Sequence, residues 1–114
     1  MIIEKFEDII SWKKAEILTV HIYSLLKSNK DYSFKDQIQR ASVSIMNNIA
    51  EGFERRSNKE LKQFLFIAKG SAGETGSMLH LAIQLGYING EDYNKLSNST
   101  IEISKLLSGF IKTL

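Results

Sequence analysis

Apolar residues recur at steps of three and four along almost the whole of a 114-residue chain that contains no proline. That spacing places side chains on one face of a helix with 3.6 residues per turn, and the lack of proline leaves such helices unbroken. Four runs carry the pattern. The first is Ala15, Leu18, Ile22 and Leu25, and the second is Phe34, Ile38, Ala41, Ile45 and Ile49. The third runs Leu61, Leu65, Ala68, Ala72, Thr75, Leu79 and Ala82, and the fourth Leu96, Thr100, Ile103, Leu107, Phe110 and Leu114. The spacing predicts helices from about Asp8 to Leu26, from about Ser33 to Glu54, from Ser57 to about Leu85, and from Asn89 close to the C-terminus. Ser57 and Glu60 have capping-box spacing, Gly86 suits a helix C-terminus, and Asn89 can cap the last helix with Glu91 and Asp92 in its first turn. Short connections between such helices favour an all-α, antiparallel up-down-up-down four-helix bundle, one domain spanning residues 1–114.

Composition removes several alternatives. With 43% hydrophobic and 25% charged residues the chain is neither disordered nor membrane-embedded in type. It has no cysteine, which excludes disulfide scaffolds, thiolate zinc sites and cysteine nucleophiles. The N-terminus, Met-Ile-Ile-Glu-Lys-Phe-Glu-Asp, is acidic and lacks a long apolar core. No stretch approaches the ~20 apolar residues of a bilayer span, so no membrane partner and a cytoplasmic location are expected. Fifteen Lys/Arg against thirteen Asp/Glu give +2, too little by itself to indicate a nucleic-acid partner.

The apolar content exceeds what one bundle face needs. At about 100° per residue, Ile17 and Val20 point away from the Leu18 stripe, as do Trp12 and Tyr23. The third helix repeats this with Ile67, Met78, Leu81 and Leu85. Scattered surface apolar residues are one explanation. Their concentration on two helices favours a homo-oligomer with Trp12, Ile17, Val20, Ile67 and Leu81 in its interface.

Two polar constellations stand out. Arg40, Ser44, Asn48, Glu51 and Arg55 form a stripe beside the apolar face of the second helix. It suits either a side-chain network along a seam, with Glu51–Arg55 an i,i+4 pair, or an ordinary solvated edge. The second constellation is Arg55, Arg56, Lys59, Lys62 and Lys69, with Glu60 the one acidic residue between Arg55 and Lys69. Five positive charges against one give +4 in this window, more than the net charge of the chain. On the third helix Lys59, Lys62, Phe66, Lys69 and His80 fall within one arc of about 80°. A basic stripe enclosing an aromatic suits phosphate contact with base stacking, and it equally suits a solvated face.

Residues for catalysis are sparse. His21 and His80 lie on different helices without zinc spacing or a Glu-x-x-His motif. Gly70, Gly73 and Gly76 lack the Lys-Ser/Thr ending of a phosphate loop, and close helix packing accounts for them better. Glu51 and Glu74 could pair, but nothing positions a substrate between them. The expectation is a protein without enzymatic activity, metal or cofactor.

The stretch Gln37 to Ser57, Gln-Ile-Gln-Arg-Ala-Ser-Val-Ser-Ile-Met-Asn-Asn-Ile-Ala-Glu-Gly-Phe-Glu-Arg-Arg-Ser, resembles the 23S rRNA intervening-sequence protein family. The family signature Arg-Ala-x-x-Ser-Ile-x-x-Asn-Ile-Ala-Glu-Gly is matched from Arg40 to Gly52. A following Ala-Arg/Lys-Gly-Ser…Glu element is matched by Ala68 to Ser71 and Glu74, and Phe6-Glu7-Asp8…Trp12-Lys13-Lys14-Ala15 resembles the family's start. Met46 stands where many members have proline. The resemblance implies an antiparallel four-helix bundle assembled as a homopentamer. A related branch, the accessory variability determinant of diversity-generating retroelements, binds nucleic acid and a reverse transcriptase. Carried over by position, Arg55, Arg56, Lys59, Lys62 and Lys69 are the candidates for RNA or DNA contact. Arg40, Ser44, Asn48 and Glu51 take a structural role. The alternative is a scaffold for a reverse transcriptase or ribosomal partner without direct nucleic-acid binding.

Overall fold

The computed structural model describes residues 3–114. Within them a single 3-10 turn, Phe6–Asp8, leads into four α-helices: α1 (Ile10–Leu25), α2 (Tyr32–Phe53), α3 (Asn58–Gln84) and α4 (Gly90–Lys112). No strand occurs among the described residues. Helices adjacent in sequence pack together and α1 closes against α4, whereas the backbones of α1 and α3, and of α2 and α4, stay apart across the diagonal. This square order is compatible with an up-down-up-down bundle. The molecule is a rod of 43 × 22 × 19 Å.

Each helix begins and ends where its local chemistry dictates. Ser57 Oγ accepts from the Glu60 N–H at 3.2 Å, as an N-cap does, and its hydroxyl donates to Glu60 Oε2 at 3.2 Å, so Glu60 reaches back to the cap hydroxyl rather than to the Ser57 N–H of a full capping box. Asn89 Oδ1 accepts from the Asp92 N–H at 2.7 Å, with Glu91 and Asp92 near the positive end of α4. At the end of α3, Gly86 adopts φ +74°, and two bonds close the turn: Gly86 N–H to Ile83 O and Tyr87 N–H to Ala82 O. That pair is a Schellman ending, and among the described residues its left-handed position is the one place where the backbone conformation favours glycine. The sequence pattern did not reveal the α2 cap. Asp31 Oδ1 accepts from the Phe34 N–H at 3.2 Å, while Asn29 Oδ1 receives the Asp31 N–H at 2.8 Å. The helical run expected from Asp8 begins instead at Ile10, because the 3-10 turn at Phe6–Asp8 breaks the α geometry first.

The core is the predicted stripe of each helix, with Leu18, Ile22, Ile38, Ile45, Ile49, Leu65, Leu79, Leu96, Ile103 and Leu107 almost fully buried. Small residues set the helix spacing at two points. A Cβ on Gly52 would lie 2.6 Å from Phe64 Cβ, so α2 and α3 approach closely there. A Cβ on Gly76 would lie 3.2 Å from Thr100 Oγ1, marking the α3–α4 approach. Two buried threonine hydroxyls are satisfied within their own helices, Thr19 by Ala15 O at 2.8 Å and Thr75 by Ser71 O at 2.8 Å. No buried side-chain polar atom among the described residues lacks a partner.

Of the apolar residues assigned to a second face, one is in the monomer core and another packs against it. Trp12 is half-buried, packs against the core and meets Phe6 edge-on at 5.1 Å. Met78 is buried. A helix flanked by two neighbours buries a wider arc than one stripe, and both residues lie in its margins. The others remain outside: Ile17 is 67% exposed and Val20 63%, and Tyr23, Ile67, Leu81 and Leu85 are exposed as well. The exposed surface of 6950 Å² is about a tenth more than the ~6,300 Å² typical of a monomer of this mass.

Candidate nucleic-acid interface

The corner between α2 and α3 gathers the basic residues predicted from sequence, but it does not leave them equivalent. Arg55 Nη2 pairs with Glu51 Oε1 at 2.9 Å, one turn back on α2. Its guanidinium also lies over the Phe64 ring, 4.8 Å from the centroid. Arg55 is therefore held between α2 and α3, joining the two helices by a salt bridge and a cation–π contact. Arg56, Lys59, Lys62 and Lys69 have no carboxylate within 4.0 Å among the described residues. Arg56 and Lys59 are exposed, and Lys62 and Lys69 are half-buried along their stems.

Acidic residues share this corner more than the window from Arg55 onward suggests. Glu51, Glu54, Arg55, Arg56 and Glu60 together line one open concavity. Counted from Glu51 to Lys69, five cations face three carboxylates and the balance is +2 rather than +4. The uncompensated charge sits on the first turns of α3, where Lys59 and Lys62 follow Arg56. Phe66, 55% exposed, lies on the same outer face of α3 about one turn beyond Lys62. His80 lies further along α3 and leans toward Tyr93 of α4, with ring centroids 6.3 Å apart.

The polar stripe of α2 does not form one network. Ser44 and Ser71 share a hydrogen bond of 2.9 Å across the α2–α3 seam. Asn48 Nδ2 donates to both the Ser44 carbonyl at 2.8 Å and its hydroxyl at 2.9 Å. Arg40 instead pairs with Asp36 at 2.9 Å in an exposed i,i+4 bridge, and Glu51 turns to Arg55. Side chains at the ends of the stripe find partners one turn away on their own helix, so only the middle of it spans the seam. Ser71 was the missing partner. Its position in the Ala68–Ser71 element was visible in sequence, but a small serine on a buried face carries no periodic signal.

The three glycines stepping along α3 also separate. Gly76 meets Thr100, as close packing requires, whereas an added Cβ at Gly70 or Gly73 would meet nothing within 4 Å. Both lie on the outer face, so packing within the bundle accounts for only one of the three.

His21 and His80 sit on α1 and α3, which lie diagonally opposite, and Glu51 and Glu74 are both exposed, on α2 and α3. No group of three or more His, Asp or Glu among the described residues is placed to hold a metal ion. The perturbed titrating groups are Asp31 and Tyr87, and both serve the α2 cap. An apolar groove of about 940 Å³ runs along α4, with Ile101, Leu106 and Phe110 in its walls and Glu102 and Lys105 at its rim. Among the described residues, no helix is long and apolar enough to cross a membrane.

A small helical bundle with a basic corner and an apolar outer face is thus the class defined by fold and surface. The chain matches the family described as 23S rRNA-intervening sequence protein over residues 7–109, and it belongs to that family. It is also similar to a solved structure, a protein with unknown function from the S23 ribosomal protein family of Bacteroides thetaiotaomicron. The two are 33% identical, the match covers 90% of this chain and 96% of that one, and the TM-score is 0.83. No curated protein matches the chain significantly.

Proposed function

We propose that the chain is an antiparallel up-down-up-down bundle that assembles into a ring, probed first as a homopentamer, and binds RNA without catalysing a reaction. The observation that carries the nucleic-acid reading is the uncompensated run Arg56, Lys59 and Lys62 at the start of α3, on an exposed corner. Cations free of carboxylates release condensed counterions when they meet phosphates, and that release drives affinity. Symmetry repeats the corner around the assembly and turns three charges per chain into a belt.

Self-assembly is supported by where the exposed apolar residues lie. Ile17 and Val20 face outward from α1, and Ile67, Leu81 and Leu85 from α3. Because α1 and α3 occupy opposite corners of the bundle, these faces point in opposite directions. Two different patches on opposite sides make head-to-tail contacts, which close into rings, rather than a two-fold dimer.

Filter binding with a structured RNA across a salt series tests the first part. Retention at low salt that falls steeply as salt rises is expected, and no retention at low salt overturns it. Light scattering at micromolar concentration tests the second, and a particle of one chain's mass overturns it. If the ring forms but RNA is not retained, the scaffold alternative stands, in which a reverse transcriptase or ribosome-associated protein recognises the assembly directly. A partner pulled down after nuclease digestion then identifies that role.

A further inference from the structure

The two phenylalanines in the second turn of α3 have different surroundings. Phe64 is half-buried and lies beneath the Arg55 guanidinium. Phe66 is exposed, and among the described residues no aromatic ring or cation stacks on it. It is set in a row of lysines. At about 100° and 1.5 Å per residue, Lys62 lies about 6 Å before Phe66 and about 40° round the helix. Lys69 lies about 4.5 Å beyond it and about 60° round to the same side, and Lys59 about 10 Å before it and almost in line. None of the three has a carboxylate within 4.0 Å among the described residues. Glu60 lies about 120° away and is engaged with the Ser57 hydroxyl. Gly70, one turn beyond the ring, adds no side chain to this surface. Ile67, Leu81 and Leu85, which support self-assembly, lie about 60–100° round on the other side of Phe66 from Lys62 and Lys69.

Cations spaced along a line on both sides of a bare ring match a chain of phosphates that carries flat bases. We infer that Phe66 stacks on an unpaired base of the bound RNA while Lys59, Lys62 and Lys69 hold the phosphates that flank it. The inference rests on the RNA reading above and adds the kind of RNA, a loop or single-stranded segment. In a duplex the base faces are stacked on one another, and an A-form helix offers a protein its groove edges, hydroxyls and phosphates. A ring projecting from a helix reaches a base face only where the strand is unpaired. Such stacking tolerates any sequence, because every base has a π-face. Phosphate contact alone gives no use for an exposed aromatic in this row, and a purely apolar partner gives none for the lysines.

The test uses a labelled single-stranded RNA of about 12 nucleotides without self-complementarity, and the duplex of the same length, in anisotropy titrations at low salt. Phe66→Ala is expected to weaken single-strand binding about tenfold and duplex binding less than about twofold. The slope of log affinity against log salt should not change, because no cation is removed. Phe66→Leu keeps an apolar side chain without a π-face and should lose as much as Phe66→Ala. Phe66→Trp should keep the affinity, and single-strand binding should quench its emission beyond any change seen for Trp12 in the wild type. The exposed position predicts unchanged helicity by circular dichroism and unchanged particle mass by light scattering in all three variants. Full single-strand affinity in Phe66→Ala or Phe66→Leu overturns the stacking role while the RNA reading stands. A changed particle mass overturns it too, and assigns Phe66 to a subunit contact. A wild type that binds neither probe overturns the RNA reading and the stacking with it.

Discussion

The Tyr87 hydroxyl donates to Asp31 Oδ2 at 2.6 Å, tying the turn after α3 to the first residue before α2 across 56 positions of sequence. Phe34 meets the Tyr87 ring edge-on at 5.2 Å and completes the contact. Asp31 thus caps α2 with one oxygen and receives Tyr87 with the other. The Tyr87 bond, followed by the Phe34 N–H, holds the Asp31 carboxyl below its usual range, while donating to that carboxylate pushes the Tyr87 phenol up. The signs fix the pH dependence. A carboxyl lowered in the fold contributes stability above its unfolded range, and that contribution is lost as pH falls through the folded value. A phenol raised in the fold contributes stability below its unfolded range of about 10, lost as pH rises through the folded value. Tyr87→Phe is expected to lower the melting temperature at neutral pH and to flatten both the acid and the alkaline limbs. A variant whose melting temperature follows the wild type at every pH would show that the bond contributes nothing.

Gly52 and Gly109 give opposite expectations for the same substitution. Gly52→Ala brings a methyl within 2.6 Å of Phe64 Cβ, an atom next to the backbone of α3 that cannot move aside alone. Overpacking of this kind costs about 1–3 kcal/mol. Gly109→Ala meets nothing within 4 Å on the outer face of α4, and the gain in helix propensity is about 0.5–1 kcal/mol. Urea denaturation of both variants checks the contrast. A Gly52→Ala protein as stable as wild type would place α2 and α3 further apart at this point than the structure does.

The Ser44–Ser71 bond makes a third expectation. Ser44→Ala removes the bond to Ser71 and one of the two acceptors of Asn48, so it should cost more than Ser71→Ala, each in the range of about 0.5–1.5 kcal/mol. A double-mutant cycle should return coupling between them, since they share one bond. Arg40→Ala, which breaks an exposed i,i+4 bridge, should change stability by less than about 0.5 kcal/mol. Zero coupling between the serines would remove the seam from α2–α3 specificity.

Much of the fold was legible in sequence because it is periodic. Buried Ile38, Ala41, Ile45 and Ile49 are a stripe that any 3.6-residue repeat reveals, and Ser57, Gly86 and Asn89 carry end signals that depend on neighbours in the chain alone. What stayed hidden depends on which helices meet. Trp12 lies off the α1 stripe, and only the covering Phe6 turn brings it against the core. The Ser71 hydroxyl and the Tyr87–Asp31 bond join residues 27 and 56 positions from their partners. The basic corner was visible as a run of charge, but its compensation by Glu51 and Glu54 was not, because those residues precede the run and return to it only through the turn between α2 and α3.

Arg55 and Lys59 are four residues apart and should behave as different kinds of residue. Arg55 is paired with Glu51 and lies over Phe64, so Arg55→Ala removes a structural contact and should lower stability with little change in RNA affinity. Lys59 and Lys62 have no carboxylate partner among the described residues, so Lys59→Ala and Lys62→Ala should leave the melting temperature nearly unchanged. Each should weaken RNA binding uniformly across sequences and reduce the slope of log affinity against log salt by about 1. If the corner acts as a belt, the losses grow with the number of corners that one RNA spans, so a short hairpin should lose less than a long structured RNA. A salt slope that falls with Arg55→Ala and not with Lys59→Ala would reverse the assignment. The phosphate contact would then lie on the α2 side of the corner rather than at the start of α3.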